Sequence, residues 1–123
     1  NDVGSNCWRT IALMPHDQRR FVQTIDFITT PGYLTGPGAR EAAGLPRGTG
    51  PYRVVTTLAL LGYHPESKRM QLLATQPGIS VEQVLENTGF ELLLADGVQQ
   101  NPPPSAEELR TLREQVDPDG LYI

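Results

Sequence analysis

The chain has 123 residues, a formal net charge of −4 at pH 7, and 38% hydrophobic and 20% charged residues. This length and balance are typical of one soluble domain, or of part of one, that buries about two-thirds of its unfolded surface. The acidic charge argues against a nucleic-acid partner, because phosphate binding needs a basic face, and no apolar run approaches the length needed to cross a membrane.

The first residues, Asn1–Asn6, have neither a helical nor a strand period, and we predict a loop. Because they include no initiator methionine and no secretory leader, we expect them to lie within a longer cytoplasmic polypeptide. The single cysteine, Cys7, excludes an intramolecular disulfide and suits a reducing compartment. Small polar residues such as Asn1, Asp2 and Ser5 are typical of a turn whose amides face a ligand.

The next two apolar segments predict strands. Thr10–Met14 is a short apolar run that ends at Pro15, and we predict a central strand there. His16 follows this strand end, where sites gather in α/β sheets, although a single loop histidine is more often structural. Phe21–Ile28 fits a helical or a strand period, and its β-branched and aromatic residues favour a strand.

Residues 29–51 form a loop rich in glycine and proline, with six glycines and four prolines. Only Ala39–Ala43 has the composition of a helical turn. The Gly36-Pro37-Gly38 segment matches no nucleotide-binding pattern, because Pro37 lacks the amide that would face a phosphate. The loop is either a disordered insertion or a segment ordered against a partner subunit or a ligand, since long loops without their own structure tend to be functional or flexible.

The middle of the chain has the clearest pattern. Val54–Leu61 and Met70–Ala74 are apolar runs on either side of a polar turn, and they predict the two strands of a β-hairpin. Ser80 and Gln83 form a capping box that predicts the start of a short helix. We expect that helix to end at Gly89 in a left-handed conformation.

Beyond the helix, Phe90–Leu94 predicts another strand and Asp96-Gly97 predicts a turn. Ser105 and Glu108 form a second capping box, which predicts a final amphipathic helix over 105–116 that docks on its own domain or on a partner. Strands, a hairpin and a capped helix in this order are typical of an α/β sheet covered by helices.

Few side chains could carry chemistry. The two histidines and one cysteine have no close spacing, which argues against zinc, and no metal site is expected. The adjacent arginines at 19–20 could hold a carboxylate or a phosphate, but such pairs more often form surface or interface salt bridges. Residue types and spacings by themselves therefore give no complete active site.

Short motifs familiar from one enzyme family are spread over nearly the whole chain. They occupy residues 1–5, 14–22, 26–33, 36–41, 53–56, 77–82, 87–90 and 117–122. In this combination the chain resembles the C-terminal portion of the β subunit of a family I coenzyme A (CoA) transferase. The motifs within 77–90 are shared widely by those β subunits, and the segments at 14–22 and 36–41 are similar to the glutaconate CoA-transferase branch.

The resemblance implies an α/β fold of the NagB/RpiA/CoA-transferase-like type, a sheet flanked by helices, with residues 1–123 as a single partial domain. It implies an α subunit and the N-terminal half of the β subunit as partners, in a hetero-oligomer. The implied activity moves CoA between carboxylic acids through a glutamyl-CoA intermediate. A glutamate attacks the acyl-CoA thioester to form an anhydride, and the released thiolate returns to give the glutamyl-CoA thioester. The CoA thioester is then a substrate, and no cofactor is bound permanently.

The resemblance also implies where the site lies. In that family the nucleophilic glutamate and a glycine-rich oxyanion turn come before the segment that begins here. None of the eight glutamates in the chain lies in a matching motif, so the catalytic glutamate is expected upstream of Asn1. By position, the edge of the substrate and CoA site is assigned to Asn1, Asp2, Ser5 and His16. The glycine-rich loop is assigned to the subunit interface or to a lid, through Tyr33, Gly36, Gly38 and Arg40.

Two further functions stay open beside CoA transfer. A relative on the same fold could hydrolyse acyl-CoA or open an acyl-CoA ring without transfer. The fold could also bind a metabolite without turnover. A family-like glutamate upstream of Asn1 favours transfer, and a different residue there favours the other two.

Overall fold

One mixed five-stranded sheet organises residues 2–121, the part of the chain described by the computed structural model. Its strands are β1 (Arg9–Met14), β2 (Gly50–Thr56), β3 (Ala59–Tyr63), β4 (Met70–Thr75) and β5 (Leu93–Gln100). They lie in chain order across the sheet, with the outer pairs parallel and the inner pairs antiparallel. The helices are α1 (Asp2–Asn6), α2 (Ala39–Ala42), α3 (Val81–Glu86) and α4 (Ala106–Thr111), which continues as a π-helical turn over Leu112–Val116.

The hydrophobic core lies on one face of the sheet and includes α3. The predicted capping box at the start of α3 is confirmed, because the Ser80 hydroxyl accepts from the Gln83 amide and the Gln83 side chain accepts from the Ser80 amide. This cap fixes where the helix begins and so places Val84 in the core. The buried apolar side chains of the core are Phe21, Val54, Ala59, Leu61, Leu72, Val84 and Leu92.

The apolar run at 54–61 contains two strands, and the single strand predicted from it is wrong. β2 ends at Thr56 and β3 begins at Ala59, so a tight turn lies within the run. The Thr56 hydroxyl stabilises this turn by accepting from the amides of Leu58 (3.2 Å) and Ala59 (2.8 Å). Because a hydroxyl makes the turn, without glycine or proline, composition gave no sign of it. The predicted hairpin is present as the antiparallel pair of β3 with β4.

Two predictions in the first third of the chain are also wrong. Residues 2–6 are helical rather than a loop, while Asn1 lies outside the described residues. Residues 21–28 form no strand. Phe21 is buried in the core, but Phe27 is 79% exposed. The Phe21 side chain therefore anchors the start of this segment in the core, while the remaining residues lie on the surface.

The C-terminal elements are shifted from their predicted bounds. β5 begins at Leu93 and runs through Asp96-Gly97, the residues predicted to form a turn. Gly97 has a φ of +69°, and the register of β5 against β4 shifts near it, so these residues form a bulge within the strand. The capping box at Ser105 is confirmed. No residue of α4 or of its π-helical turn is buried, so this helix presents no buried side chain to its own sheet.

The β1 edge of the sheet is apolar and uncovered. Ile11 and Leu13 of β1 are 57% and 79% exposed, and Val3 and Trp8 before it are exposed as well. Among the described residues, β1 pairs with β2 alone. The outer edge of such a strand is normally paired or covered in a native assembly.

Gly89 serves the fold through close packing, and the left-handed helix end predicted for it is wrong. α3 ends at Glu86, and the φ of Gly89 is not positive. Its amide donates to the carbonyl oxygen of Phe21 at 2.6 Å. A Cβ at this position would lie 2.5 Å from that same oxygen, so no larger residue fits without moving the backbone.

We expect Gly89→Ala to destabilise the protein by about 1–3 kcal/mol, because the added methyl group must displace the Phe21 backbone and weaken that hydrogen bond. The matched control is Gly32→Ala, where a Cβ would meet only a ring carbon of Pro51 at 3.9 Å. The control should change the free energy of unfolding by less than about 0.5 kcal/mol. Urea denaturation measures both, and equal midpoints for the two variants would contradict this role of Gly89.

Candidate functional site

His16 lies just beyond the carboxyl end of β1 and is buried, with 6% of its surface exposed. Its Nδ1 lies 3.0 Å from the Thr56 hydroxyl, and its Nε2 lies 3.0 Å from the Thr88 hydroxyl. The ring also stacks on Phe21, with centroids 4.1 Å apart. The histidine therefore joins the end of β1 to β2 and to the segment after α3, and both ring nitrogens are used within the chain.

The surroundings of His16 favour its neutral form. Burial lowers the pKa of His16, and the nearby Asp17 carboxylate opposes this by a smaller amount. The ring is therefore neutral at pH 7, with one donor nitrogen and one acceptor nitrogen. A neutral ring needs one of the hydroxyls of Thr56 and Thr88 to donate to it and the other to accept from it. These hydroxyls also lie within donating distance of the carbonyl oxygens of Ala59 (3.0 Å) and Val84 (2.8 Å), so the hydroxyl that donates to the ring gives up its bond to that carbonyl group. Hydroxyls can do either, which is why they suit both sides of a neutral imidazole.

Arg40 is the centre of the glycine-rich loop. It is 2% exposed, although arginine is rarely buried. Its Nη1 donates to the carbonyl oxygens of Pro31 (2.9 Å) and Gly32 (2.8 Å). Its Nη2 donates to the carbonyl oxygen of Ser5 (2.8 Å) and to the hydroxyl of Thr49 (2.9 Å). The guanidinium thus ties α1, α2 and both ends of the loop together, and gives the loop a defined fold.

The positive charge of Arg40 has no carboxylate partner within the described chain. Between residues 2 and 121 the ion pairs are Asp17–Arg20 and Arg69–Glu91. The Nε of Arg40 is buried and forms no hydrogen bond with a described residue. A buried charge that meets only neutral acceptors is costly, and it adds positive potential to the adjoining surface.

The other residues assigned to the loop are held by the same fold. Gly36 and Gly38 have φ angles of +120° and +75°, a conformation that favours glycine. Tyr33 packs over the backbone of Gly50, where a Cβ would lie 3.1 Å from its ring. The Tyr33 hydroxyl donates to the carbonyl oxygen of Pro51 at 2.9 Å. The loop is therefore fastened to the start of β2.

The residues assigned to the site edge fall into two groups. Ser5 on α1 is buried and contacts Arg40 through its carbonyl oxygen, while Asp2 on the same helix is exposed. His16 lies at the far end of β1, about 17 Å of strand away. Asn1 lies outside the described residues. That these residues share one site stays a prediction.

A cleft of about 380 Å³ opens between the start of β1, the start of β2 and the β3–β4 turn. A smaller cavity of about 120 Å³ adjoins it, shares Tyr33 and Lys68 with it, and reaches Arg40. The larger space is named the basic cleft, after the cations on its walls. Its principal side chains are Trp8, Arg9, Tyr33, Tyr52, Arg53 and Lys68.

Aromatic rings hold the cations of the basic cleft in place. The guanidinium carbons of Arg9 and Arg53 lie 4.4 Å and 3.9 Å from the centre of the Tyr52 ring. The Lys68 ammonium lies 5.4 Å from the centre of the Tyr33 ring. Attraction between a cation and a ring face therefore positions these three groups without neutralising them.

The described residues contain no activated glutamate. All eight glutamates are exposed, and hydrogen bonds to the backbone and to serine hydroxyls at the starts of α3 and α4 lower the pKa values of Glu82 and Glu108. Residues 2–121 also hold no group of three or more histidine, cysteine or acidic side chains arranged for a metal ion. Nor does any helix in that range have the length and apolar character to cross a membrane. The catalytic glutamate expected upstream of Asn1 stays a prediction.

Comparison with known proteins identifies the family. The profile of the coenzyme A transferase family matches residues 2–87. The chain belongs to this family. The β subunit of the glutaconate CoA-transferase from Acidaminococcus fermentans is 44% identical over 114 residues, which are 93% of this chain and 42% of that relative. The IpdB subunit of a cholesterol ring-cleaving hydrolase from Rhodococcus jostii is 34% identical over 86% of this chain and 41% of that relative.

The solved structures of this family include a close match to the fold. A chain of the glutaconate CoA-transferase crystal structure from Acidaminococcus fermentans aligns with 100% of this chain and 46% of its own length, at 40% identity and a TM-score of 0.91. This match confirms the CoA-transferase-type α/β fold and the resemblance to the C-terminal portion of a β subunit. The chain thus spans less than half the length of these CoA-transferase relatives.

Sequence reasoning missed the basic cleft and the central role of Arg40. The available signal for the cleft was the repeated aromatic–arginine pair at Trp8-Arg9 and Tyr52-Arg53. The parallel pairing of β1 with β2 places Arg9 opposite Gly50 and Arg53 opposite Ile11, and Arg9 reaches across to the Tyr52 ring. The family resemblance singled out Arg40, but no residue pattern indicated its central role, because its acceptors are mainly backbone carbonyl groups, which every residue carries.

The lowered pKa of His16 predicts a pH-dependent stability. Because the folded-state pKa lies below the reference value of 6.5, the unfolded state binds the proton more readily. The contribution of the neutral ring is complete above about pH 6.5 and is lost as the pH falls from there towards the folded-state pKa. Urea denaturation between pH 7 and pH 5 should therefore show a steeper loss of stability for the native protein than for His16→Gln. A native slope in His16→Gln would rule out this assignment.

Replacement of Arg40 by lysine should loosen the glycine-rich loop. One ammonium group cannot reproduce the four hydrogen bonds of the planar guanidinium, and we expect a local loss of about 2–4 kcal/mol. Limited chymotrypsin digestion at Tyr33 should then become at least about tenfold faster. The matched control is Arg47→Lys, because Arg47 lies in the same loop and is exposed. Equal digestion rates for the two variants would contradict the central role of Arg40.

Proposed function

We propose that the complete protein is an acyl-CoA:carboxylate CoA-transferase, and that residues 1–123 are the C-terminal part of a single domain in its β subunit. The observation that carries this proposal is the 44% identity to the β subunit of a glutaconate CoA-transferase across 93% of the chain. The exposed apolar edge of β1 supports it, because the remaining part of such a subunit would cover that edge.

In the proposed reaction a glutamate carboxylate upstream of residue 1 attacks the carbonyl carbon of the acyl-CoA thioester. The carbon–sulfur bond breaks, the CoA thiolate leaves, and an acyl-glutamyl anhydride forms. The thiolate then attacks the glutamyl carbonyl, which releases the first carboxylate and leaves glutamyl-CoA. The acceptor acid runs these steps in reverse and departs with the CoA, so the cycle needs no oxidant and no permanently bound cofactor.

The described residues would supply the walls and supports for this chemistry. α1 carries Asp2 and Ser5 beside the proposed glycine-rich turn, whose amides would stabilise the oxyanion. Arg40 fixes α1 through the Ser5 carbonyl oxygen, and so links the site edge to the glycine-rich loop, which we assign to a lid or a subunit interface. Because both ring nitrogens of His16 are bonded within the chain, we assign it to support of the strand end and not to proton transfer.

We further propose a cytoplasmic hetero-oligomer, in which the N-terminal half of the β subunit and a separate α subunit cover the exposed apolar residues. The glutaconate CoA-transferase relative is itself named as one subunit of its enzyme, which supports a second kind of subunit here. Leu13 on β1 and Phe27 beyond it are each 79% exposed, which is more apolar exposure than isolated side chains usually require.

A hydrolase or ring-opening enzyme is the second candidate. It is favoured by the 34% identity to the IpdB subunit of the Rhodococcus jostii hydrolase. The two candidates differ in what accepts the acyl group, since transfer needs a carboxylic acid and hydrolysis needs water.

Isotope exchange by the full-length protein, co-expressed with its partner subunit, separates the candidates. A transferase should move CoA from an acyl-CoA to the radiolabelled form of the same acid without net loss of thioester. A hydrolase should instead release free thiol at a rate that does not depend on added acid.

The covalent intermediate gives a second readout. Borohydride reduction of the trapped glutamyl thioester, followed by peptide mass spectrometry, should place the modification upstream of residue 1. Thiol release without exchange, absence of any turnover, or a modified glutamate within residues 1–123 would each overturn the proposed function.

A further inference from the structure

The basic cleft has a charge opposite to that of the chain. Arg9, Arg53 and Lys68 line it, and no described aspartate or glutamate does, although the formal net charge of the chain is −4. None of these three cations forms an ion pair within residues 2–121. Uncompensated cations on one concave surface focus a positive potential that attracts anions.

A fourth cation, Arg40, lines the small cavity that adjoins the basic cleft. The small cavity that reaches Arg40 opens beside Lys68 and Tyr33 of the basic cleft. Arg40 is 2% exposed, and its Nε is buried without a hydrogen-bond partner in the described chain. Glu41 lines the same cavity, but it is exposed and forms no ion pair with Arg40. An anion in the cleft would therefore offset a buried charge that the described residues leave unpaired.

The walls between the cations are aromatic. Trp8 and Tyr52 are 70% and 37% exposed, while Tyr33 and Tyr63 meet edge to face with centroids 5.0 Å apart. Burial, and to a smaller extent Tyr33, raises the pKa of Tyr63 to about 12, so this phenol stays neutral and adds no negative charge. Exposed rings beside arginines suit a ligand that joins phosphates to a flat heterocycle.

We propose that the basic cleft binds the phosphates of a nucleotide-bearing ligand, the adenosine phosphate end of the CoA thioester. The choice of this nucleotide rests on the proposed function, whereas the preference for phosphates follows from the cleft itself. The cleft volume of about 380 Å³ falls within the range of about 300–1,000 Å³ of small-molecule sites. A small dicarboxylate has no ring and only two single charges, so it would leave the aromatic walls and a cation unused.

The cations of the cleft have different roles in this proposal. Arg9 and Arg53 are assigned to direct phosphate contact, because guanidinium groups bind phosphate oxygens through paired hydrogen bonds. Lys68 donates to the carbonyl oxygen of Pro65 at 2.7 Å and keeps further donors for a ligand. Arg40 is a positioning residue, since its hydrogen bonds hold the loop while its charge favours an anion nearby.

The test compares two substrates of the full-length protein co-expressed with its partner subunit. Acyl-CoA carries the nucleotide phosphates, and the matching acyl-pantetheine lacks them. In the double variant Arg9→Gln/Arg53→Gln the KM for acyl-CoA should rise by about thirtyfold to a hundredfold with little change in kcat. This range corresponds to about sixfold to tenfold for each lost guanidinium. The kcat/KM for acyl-pantetheine should change by less than about twofold, because that substrate never reaches the cleft. The charge-matched control is Arg110→Gln/Arg113→Gln on the exposed C-terminal helix, which should leave both substrates unaffected.

Calorimetric binding of adenosine 3′,5′-bisphosphate gives a readout that does not need turnover. The native protein should bind this probe with an affinity that falls as salt rises, and the double variant should bind it at least about thirtyfold more weakly. If the protein turns over no thioester, the proposed function fails. The binding measurement still decides whether the basic cleft binds the phosphates of a nucleotide. Three results would overturn the assignment: no binding by the native protein, equal loss with both substrates, or subunit dissociation in the double variant, which would mean that an acidic segment of a partner occupies the cleft.

Discussion

The buried guanidinium of Arg40 holds together parts of the chain that have little apolar surface of their own. Its four hydrogen bonds reach the carbonyl oxygens of Ser5, Pro31 and Gly32 and the hydroxyl of Thr49. A loop rich in glycine and proline leaves many carbonyl groups without partners, and each such group is costly when buried. One planar cation satisfies several of them at once. This explains how a segment with few core residues adopts one conformation against α1 and β2.

The two ends of β1 are thus organised by different polar side chains. At its start Arg40 and the cations of the basic cleft leave a positive, open surface. At its end His16 is neutral, stacked and bonded on both sides by hydroxyls. An unpaired charge invites a ligand, whereas a fully bonded neutral ring supports the fold. The distribution of charge along one strand therefore separates a surface suited to binding from one suited to support.

Membership of the CoA transferase family allows the core and the exposed β1 edge to be compared with the fold of a relative. The core covers one face of the sheet, while β1 keeps an exposed apolar edge. A chain that aligns with 46% of a relative's length at a TM-score of 0.91 retains the family fold across its whole extent. The core and the two polar centres at Arg40 and His16 hold the described elements together, whereas Ile11 and Leu13 of β1 stay exposed.

The features that depend on neighbours in the chain could be predicted from the sequence. Both capping boxes, the β3–β4 hairpin and the α/β class followed from local patterns, and the family followed from motifs. The division of 54–61 into two strands is also local, but a hydroxyl makes its turn without glycine or proline, so composition did not reveal it. Folding in three dimensions was needed for the close contact of Gly89 with Phe21, the loss of the strand predicted at 21–28, and the convergence of distant groups on Arg40. The physical reason is that caps and turns are made between residues a few positions apart, whereas a cleft or a buried charge takes its partners from segments that only folding brings together.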